Sequence, residues 1–234
     1  MTSRRAATCI GVVGGSGGAG ASVLVAALAV AAGWSVIVDL DVLGGGIELS
    51  LGIESVPGAR WSGLRAEGGR IDPAALRTGL PRWAETPVLS CDRREIDPAA
   101  VPSVLAAAAE LGTTVVDLGR ADTAARRSAL ERCGLVVLVA RGSVPGVAGA
   151  RAMRMAVEAG VERPVRWRLV CAEGVVSSKR VGQVVGIADA LPLPIDRALA
   201  AAADLGVDGR LLRRSTVELA SALLDAAAES ASAA

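Results

Sequence analysis

Residues 11–22 read GVVGGSGGAGAS, and the fold turns on whether this is a phosphate loop. Gly15-Ser16-Gly17-Gly18-Ala19-Gly20 fits the dinucleotide fingerprint G-x-G-x-x-G, yet it stands where a nucleotide triphosphatase carries G-x-x-x-x-G-K-[ST]. In both readings the glycines bring backbone N–H groups close to an anion at the start of a helix beginning at Ala21, where the helix dipole favours negative charge. The spacing implies phosphate before it names a cofactor. A tight glycine turn without a ligand is the plain alternative.

Around this loop the chain alternates apolar runs with longer Ala-rich stretches. Strands are predicted over residues 8–13, 34–40, 87–90, 113–118, 135–140 and 165–171, and helices over 21–32, 97–111, 123–132, 144–159, 178–188 and 216–228. Strands apolar on both faces, separated by helices, predict an α/β fold with a mostly parallel central sheet and helices on both sides. The 234 residues form one domain over 1–234, with 53–86 an irregular connection holding short helices and 226–234 a frayed Ala/Ser tail.

Composition removes several classes of chemistry. There is no His, Tyr or Phe, and Lys179 is the only lysine, so histidine bases and histidine metal ligands are excluded. The net charge of +1 offers no broad attraction for nucleic acid or anionic lipid. The pairs Arg93-Arg94, Arg126-Arg127 and Arg213-Arg214 read as solvated helix surface in preference to DNA contacts. Cys9, Cys91, Cys133 and Cys171 are far apart in sequence without a C-x-x-C pair, which suggests neither a zinc site nor a redox dithiol but reduced, buried thiols in a cytoplasmic protein. The uncharged run after Arg4-Arg5 is too crowded with glycine for a membrane span or signal core.

Two readings of the loop remain. Asp39 closes the next strand about twenty residues on, where an acid binds a ribose hydroxyl in NAD(P)-dependent oxidoreductases. Against that, the chain has no Tyr, no His and no well-placed Lys for the proton transfer that accompanies hydride chemistry. Residues 38–52 read VDLDVLGGGIELSLG, and acids two apart at a strand end point to the same side, so Asp39 and Asp41 both face the crevice at the sheet's carboxyl edge.

This segment resembles the D-x-D strand end, glycine turn and short helix ending in Leu-Gly of the MinD/ParA family of P-loop ATPases. The resemblance runs on through Val115-Val116-Asp117-Leu118-Gly119, similar to the family's Walker B strand, and through residues 135–153. It ends at Leu191-Pro192-Leu193-Pro194-Ile195-Asp196, similar to the late Pro-x-Asp segment near the base. Within the family the chain is most similar to the CpaE/TadZ-like branch, which includes actinobacterial proteins labelled septum-site-determining. Proteins of that branch usually carry an N-terminal receiver-like domain, which this chain, with its first strand beginning by Thr8, lacks or has lost.

The resemblance implies ATP or ADP with Mg2+, bound by Gly15, Ser16, Gly17, Gly18, Ala19, Gly20, Ala21, Ser22 and Asp196. Ser22, Asp39 and Asp117 would surround the metal, and Asp41 would face the phosphate or its attacking water as the catalytic acid. Two departures bear on mechanism: aligned with the family loop, the signature lysine is Ser16 and the Walker lysine is Ala21. Phosphoryl transfer depends on positioned positive charge, so hydrolysis is expected to be weak or absent, while binding through backbone amides survives. Cys171 falls where the family often has an adenine-reading Asn.

The function implied is a nucleotide-binding localisation protein for septum-site determination or for positioning a pilus or secretion apparatus, with protein partners and a possible homodimer. A nucleotide-free scaffold is a further alternative. The C-terminal segment 216–228 has Glu218 and Asp225 but no Lys or Arg, which argues against direct membrane insertion; recruitment to septum or pole would go through partners.

Overall fold

The computed structural model describes residues 8–64, 69–92, 95–194 and 212–231. Eight strands form one sheet: β1 (Cys9–Gly14), β2 (Ser35–Asp39), β3 (Arg82–Trp83), β4 (Thr86–Leu89), β5 (Thr113–Asp117), β6 (Leu135–Arg141), β7 (Trp167–Ala172) and β8 (Leu191–Leu193). Their order is β3-β4-β2-β5-β1-β6-β7-β8. All neighbours are parallel except β3 and β4, whose hairpin closes one edge. The predicted parallel sheet is therefore present, with two short strands, β3 and β8, that its apolar runs did not announce.

The helices are α1 (Ala21–Ala32), α2 (Ile47–Leu51), α3 (Pro73–Gly79), α4 (Val101–Leu111), α5 (Ala124–Leu130), α6 (Val144–Ala159), α7 (Ser178–Val185) and α8 (Arg214–Ala231). Strand periodicity sorts the core into two layers. Leu135, Val137 and Val139 of β6 face α1 and α8, burying Leu24, Leu28, Leu223 and Leu224. Val136, Leu138 and Ala140 face the other way, where Val104, Val147 and Val181 of α4, α6 and α7 complete the second layer. Leu223 and Leu224 are thus buried against the sheet. The helix bearing them continues to Ala231, so the stretch from Ala226 is helical where a frayed tail was expected, and Ala227 is buried. Residues 232–234 lie outside the described residues.

The connection over 53–86 holds a 3-10 turn at Trp61–Gly63 as well as α3. It is also anchored to the carboxyl edge. Trp61 Nε1 donates to the Asp39 carbonyl at 2.7 Å, and Arg60 Nε meets Glu48 of α2 at 2.7 Å. Ser90 Oγ donates to the same Glu48 carboxylate at 2.9 Å.

Candidate nucleotide site

β1 runs directly into the glycine loop, and α1 begins with Gly20 as its N-cap at φ 98°, without a side-chain cap. Gly18 also has positive φ. From Gly17 to Val23, Ala19 N–H alone has an acceptor among the described residues, the Ser16 carbonyl at 3.3 Å. The remaining amides from Gly17 to Val23 are donors without a partner among the described residues, and such donors are ordinarily satisfied by caps, water or ligands. An anion at this helix start would also meet the positive end of the dipole.

The loop's members differ in what they do. Gly15 packs against α6: a Cβ there would lie 2.6 Å from Ala150 Cα. Its N–H donates to Val139 at 2.8 Å, so Gly15, counted from sequence among the nucleotide-binding residues, is a packing position. Ala19 is buried in the α1 layer and offers only its backbone. Gly17 and Gly18 are exposed, while Ser16, Gly20, Ala21 and Ser22 are half-buried.

Below the loop, Ser22 Oγ donates to Asp117 Oδ2 at 3.1 Å, joining the first turn of α1 to the end of β5. Asp117 Oδ1 accepts from Gly119 N–H at 3.2 Å. Burial pushes the Asp117 carboxyl up to about 6 and Asp41 adds to the rise, while the bonds from Gly119 and Ser22 work against it. Asp39 is its cross-strand neighbour and has no exposed surface. Burial first, and Asp117 second, push Asp39 up to about 7.

Asp39 organises backbone. Its Oδ1 accepts from Asp41 N–H at 2.9 Å, and its Oδ2 from Ile47 N–H at 2.9 Å and Cys91 N–H at 3.3 Å. These bonds shape the 41–47 turn and leave little of the carboxylate for the magnesium role expected of it. They also remove the ribose role, because a fully buried acid with both oxygens engaged cannot meet a sugar hydroxyl. Asp41 Oδ1 accepts from Leu43 and Gly44 N–H at 3.2 and 3.1 Å, closing its own turn. Its backbone lies against Gly119, where a Cβ would be 2.6 Å from Asp41 Cα, so the two strand ends touch.

Other sequence expectations meet the structure unevenly. Cys171 is buried with its thiol directed to the Ala172 carbonyl at 3.4 Å. Cys9 and Cys133, 124 residues apart, bring their sulfurs within 3.8 Å, a proximity invisible in linear spacing. All four cysteines are free, and Cys9 is half-buried. Arg126 corrects the solvated reading of its pair, since it is 1% exposed and donates to Asp122, to the Arg120 carbonyl and to Met153 Sδ. Arg127 is partly exposed beside the same Asp122, and Arg214 is solvated, pairing with Glu218. Asp196 and Arg93-Arg94 lie outside the described residues. Among the described residues no three metal-ligating side chains cluster, so a cation here would need oxygen from phosphate or water as well as from Ser22 and Asp117, as magnesium ordinarily takes.

The same sheet is found in a ParA family ATPase from Chlorobium tepidum, with a TM-score of 0.74, 18% identity and coverage of 95% of this chain and 98% of that one. The cell division ATPase MinD of Pyrococcus furiosus gives 0.69 at 17% identity, covering 94% and 99%. The fold is that of the MinD/ParA ATPases. The Pyrococcus horikoshii MinD, solved with Mg-ADP, matches at 0.62 and 16% identity over 93% and 94% of the two chains. No family model matches the chain. Two uncharacterized proteins of Mycobacterium tuberculosis, from strains CDC 1551 and H37Rv, are 46% identical over 147 residues, 62% of this chain. That match spans 42% of the length of each relative. Among the described residues no helix is long and apolar enough to cross a membrane.

Proposed function

We propose that this chain is a MinD/ParA-like nucleotide-binding localisation protein that binds ATP or ADP with Mg2+ and hydrolyses ATP weakly or not at all. The observation that carries the reading is the row of amides from Gly17 to Val23, all but that of Ala19 without an acceptor among the described residues, set above the Ser22–Asp117 pair: donors for phosphate beside oxygen ligands for a cation. The loop itself has no cation, because Ser16 and Ala21 stand at the family's lysine positions. The γ-phosphate therefore loses much of the charge stabilisation that transfer requires. Asp41, beside Gly119 at the same edge, is the acid that would orient water.

Likeness to the CpaE/TadZ branch supports a role in septum-site determination or in positioning a pilus or secretion apparatus, through cytoplasmic protein partners and without DNA or direct membrane insertion. Nucleotide would act by ordering residues 41–51. A homodimer is compatible with the fold, although Ser16 removes the lysine that would reach a partner's nucleotide.

Parallel calorimetric titrations with magnesium-ATP, magnesium-ADP and NAD test this, followed by phosphate release. Adenine nucleotide binding with release far below that of an ATPase is expected. NAD binding, or rapid release, would overturn the reading.

A further inference from the structure

The loop has no lysine, yet two guanidinium groups lie on it. A Cβ on Gly17 would stand 3.9 Å from Cζ, Nη1 and Nη2 of Arg120 alike, so the guanidinium sits squarely beside the loop backbone. A Cβ on Gly18 would stand 4.0 Å from Nη1 of Arg141. We infer that Arg120 and Arg141 are phosphate-binding residues that supply, from the strands flanking β1, the positive charge missing at Ser16 and Ala21. This inference rests on the nucleotide reading of the same loop.

Topology explains how they arrive there. β1 lies between β5 and β6, and all three end at the same edge. Arg141 is the last residue of β6, and Arg120 follows β5 after the turn at Gly119. That turn has φ +59°, and Asp41 leaves no room there for a side chain. The backbone of Arg120 is held in turn by Arg126, whose Nη1 donates to the Arg120 carbonyl at 3.3 Å.

Their chemistry is unallocated. Both side chains are exposed, and among the described residues neither guanidinium makes a hydrogen bond or an ion pair, whereas Arg60, Arg126, Arg154 and Arg163 all do. Lys179, in the first turn of α7, follows β7, a strand two places from β1. A guanidinium presents a planar fork that pairs two phosphate oxygens at once, where lysine offers a point charge. Arginines on either side of the loop would thus clamp a polyphosphate laterally, while the amides hold it from beneath. Such a clamp would hold the polyphosphate without placing a cation at the Walker lysine's position, in keeping with the binding without efficient turnover proposed above.

The test is calorimetric titration with magnesium-ATP of the unaltered chain, Arg120→Ala, Arg141→Ala, the double variant, and Arg132→Ala as an exposed arginine remote from the loop. Each single change is expected to weaken binding about tenfold and the double about a hundredfold, from the usual strength of charge-assisted hydrogen bonds. Arg132→Ala should bind as the unaltered chain does, and Arg120→Lys should recover part of the loss. Thermal unfolding should be unchanged throughout, since neither side chain supports the fold. Binding by the double variant equal to that of the unaltered chain would overturn this inference and leave the nucleotide reading intact. Absence of binding by the unaltered chain would overturn both.

Discussion

The turn after β2 and the loop after β1 meet at one edge of the sheet, and they treat their polar groups in opposite ways. In the turn, Asp39 accepts three backbone N–H bonds, Glu48 is paired with Arg60 and Ser90, and Trp61 closes over the strand end. In the glycine loop nearly every donor from Gly17 to Val23 lacks a partner among the described residues. Both carry residues that sequence comparison would mark as functional. The difference teaches that an acid already engaged by its own backbone shapes the site, whereas donors left over are where a ligand binds.

Removing the acid should break the turn most severely. Asp39→Ala leaves three amides without their acceptor and is expected to cost about 3 kcal/mol of stability by urea unfolding. The same carboxylate sets a pH trend. Asp39 and Asp117 lie at about 7 and about 6 when folded, above their ordinary value of 3.8. The folded chain therefore holds protons that the unfolded chain has released, and without magnesium or nucleotide its stability should fall as pH rises from about 4 towards 7. Asp39→Asn should flatten that slope. An unchanged slope would mean that Asp39 does not contribute to it.

Neighbouring glycines sharpen the contrast. Gly15→Ala drives a methyl into the α6 backbone and is expected to cost about 2 kcal/mol, whereas Gly17→Ala meets only ordinary contacts and should change stability by under about 0.5 kcal/mol. Comparable melting temperatures for the two would mean that α6 can retreat. Arg60→Ala releases α2 from the connection and is expected to cost about 1 kcal/mol, read by the same unfolding. The smallest stability effect belongs to Ser22→Ala, within about 0.5 kcal/mol, yet it should abolish the dependence of nucleotide affinity on magnesium. Unaltered magnesium dependence would remove Ser22 from the cation's surroundings.

Much of the fold was readable because local pattern determined it. The 21–32 and 144–159 helices have the predicted limits, and the runs at 113–118 and 135–140 form central strands where two-sided burial demands apolar residues. β3 and β8 are too short for periodicity to register. The site was readable as a phosphate loop with acids after β2 and β5, but not in its division of labour. Asp39 is engaged by the N–H groups of the turn that follows it and by Cys91, 52 residues away, and Gly15 takes its packing role from Ala150. Arg126 looked like surface although Asp122, only four residues before it, neutralises its charge; its burial comes from packing in the fold, where Met153, 27 residues away, meets its guanidinium. Arg120 stood in the sequence only as the residue closing the Val-Val-Asp-Leu-Gly-Arg stretch, with no phosphate role attached, and Arg141 carried no motif. Their one sequence signal was position, at the ends of the strands that turned out to flank β1.

That strand order has a consequence for how such sites change over generations. Because β5, β1 and β6 end side by side, a cation needed at the loop has three addresses on the backbone, and any of them is reached by substituting one residue at a strand end. A charge offered from either flanking strand leaves the loop's main chain on its course, so the absence of lysine from the loop's letters is a poor guide to whether phosphate is held there, as distinct from whether it is transferred.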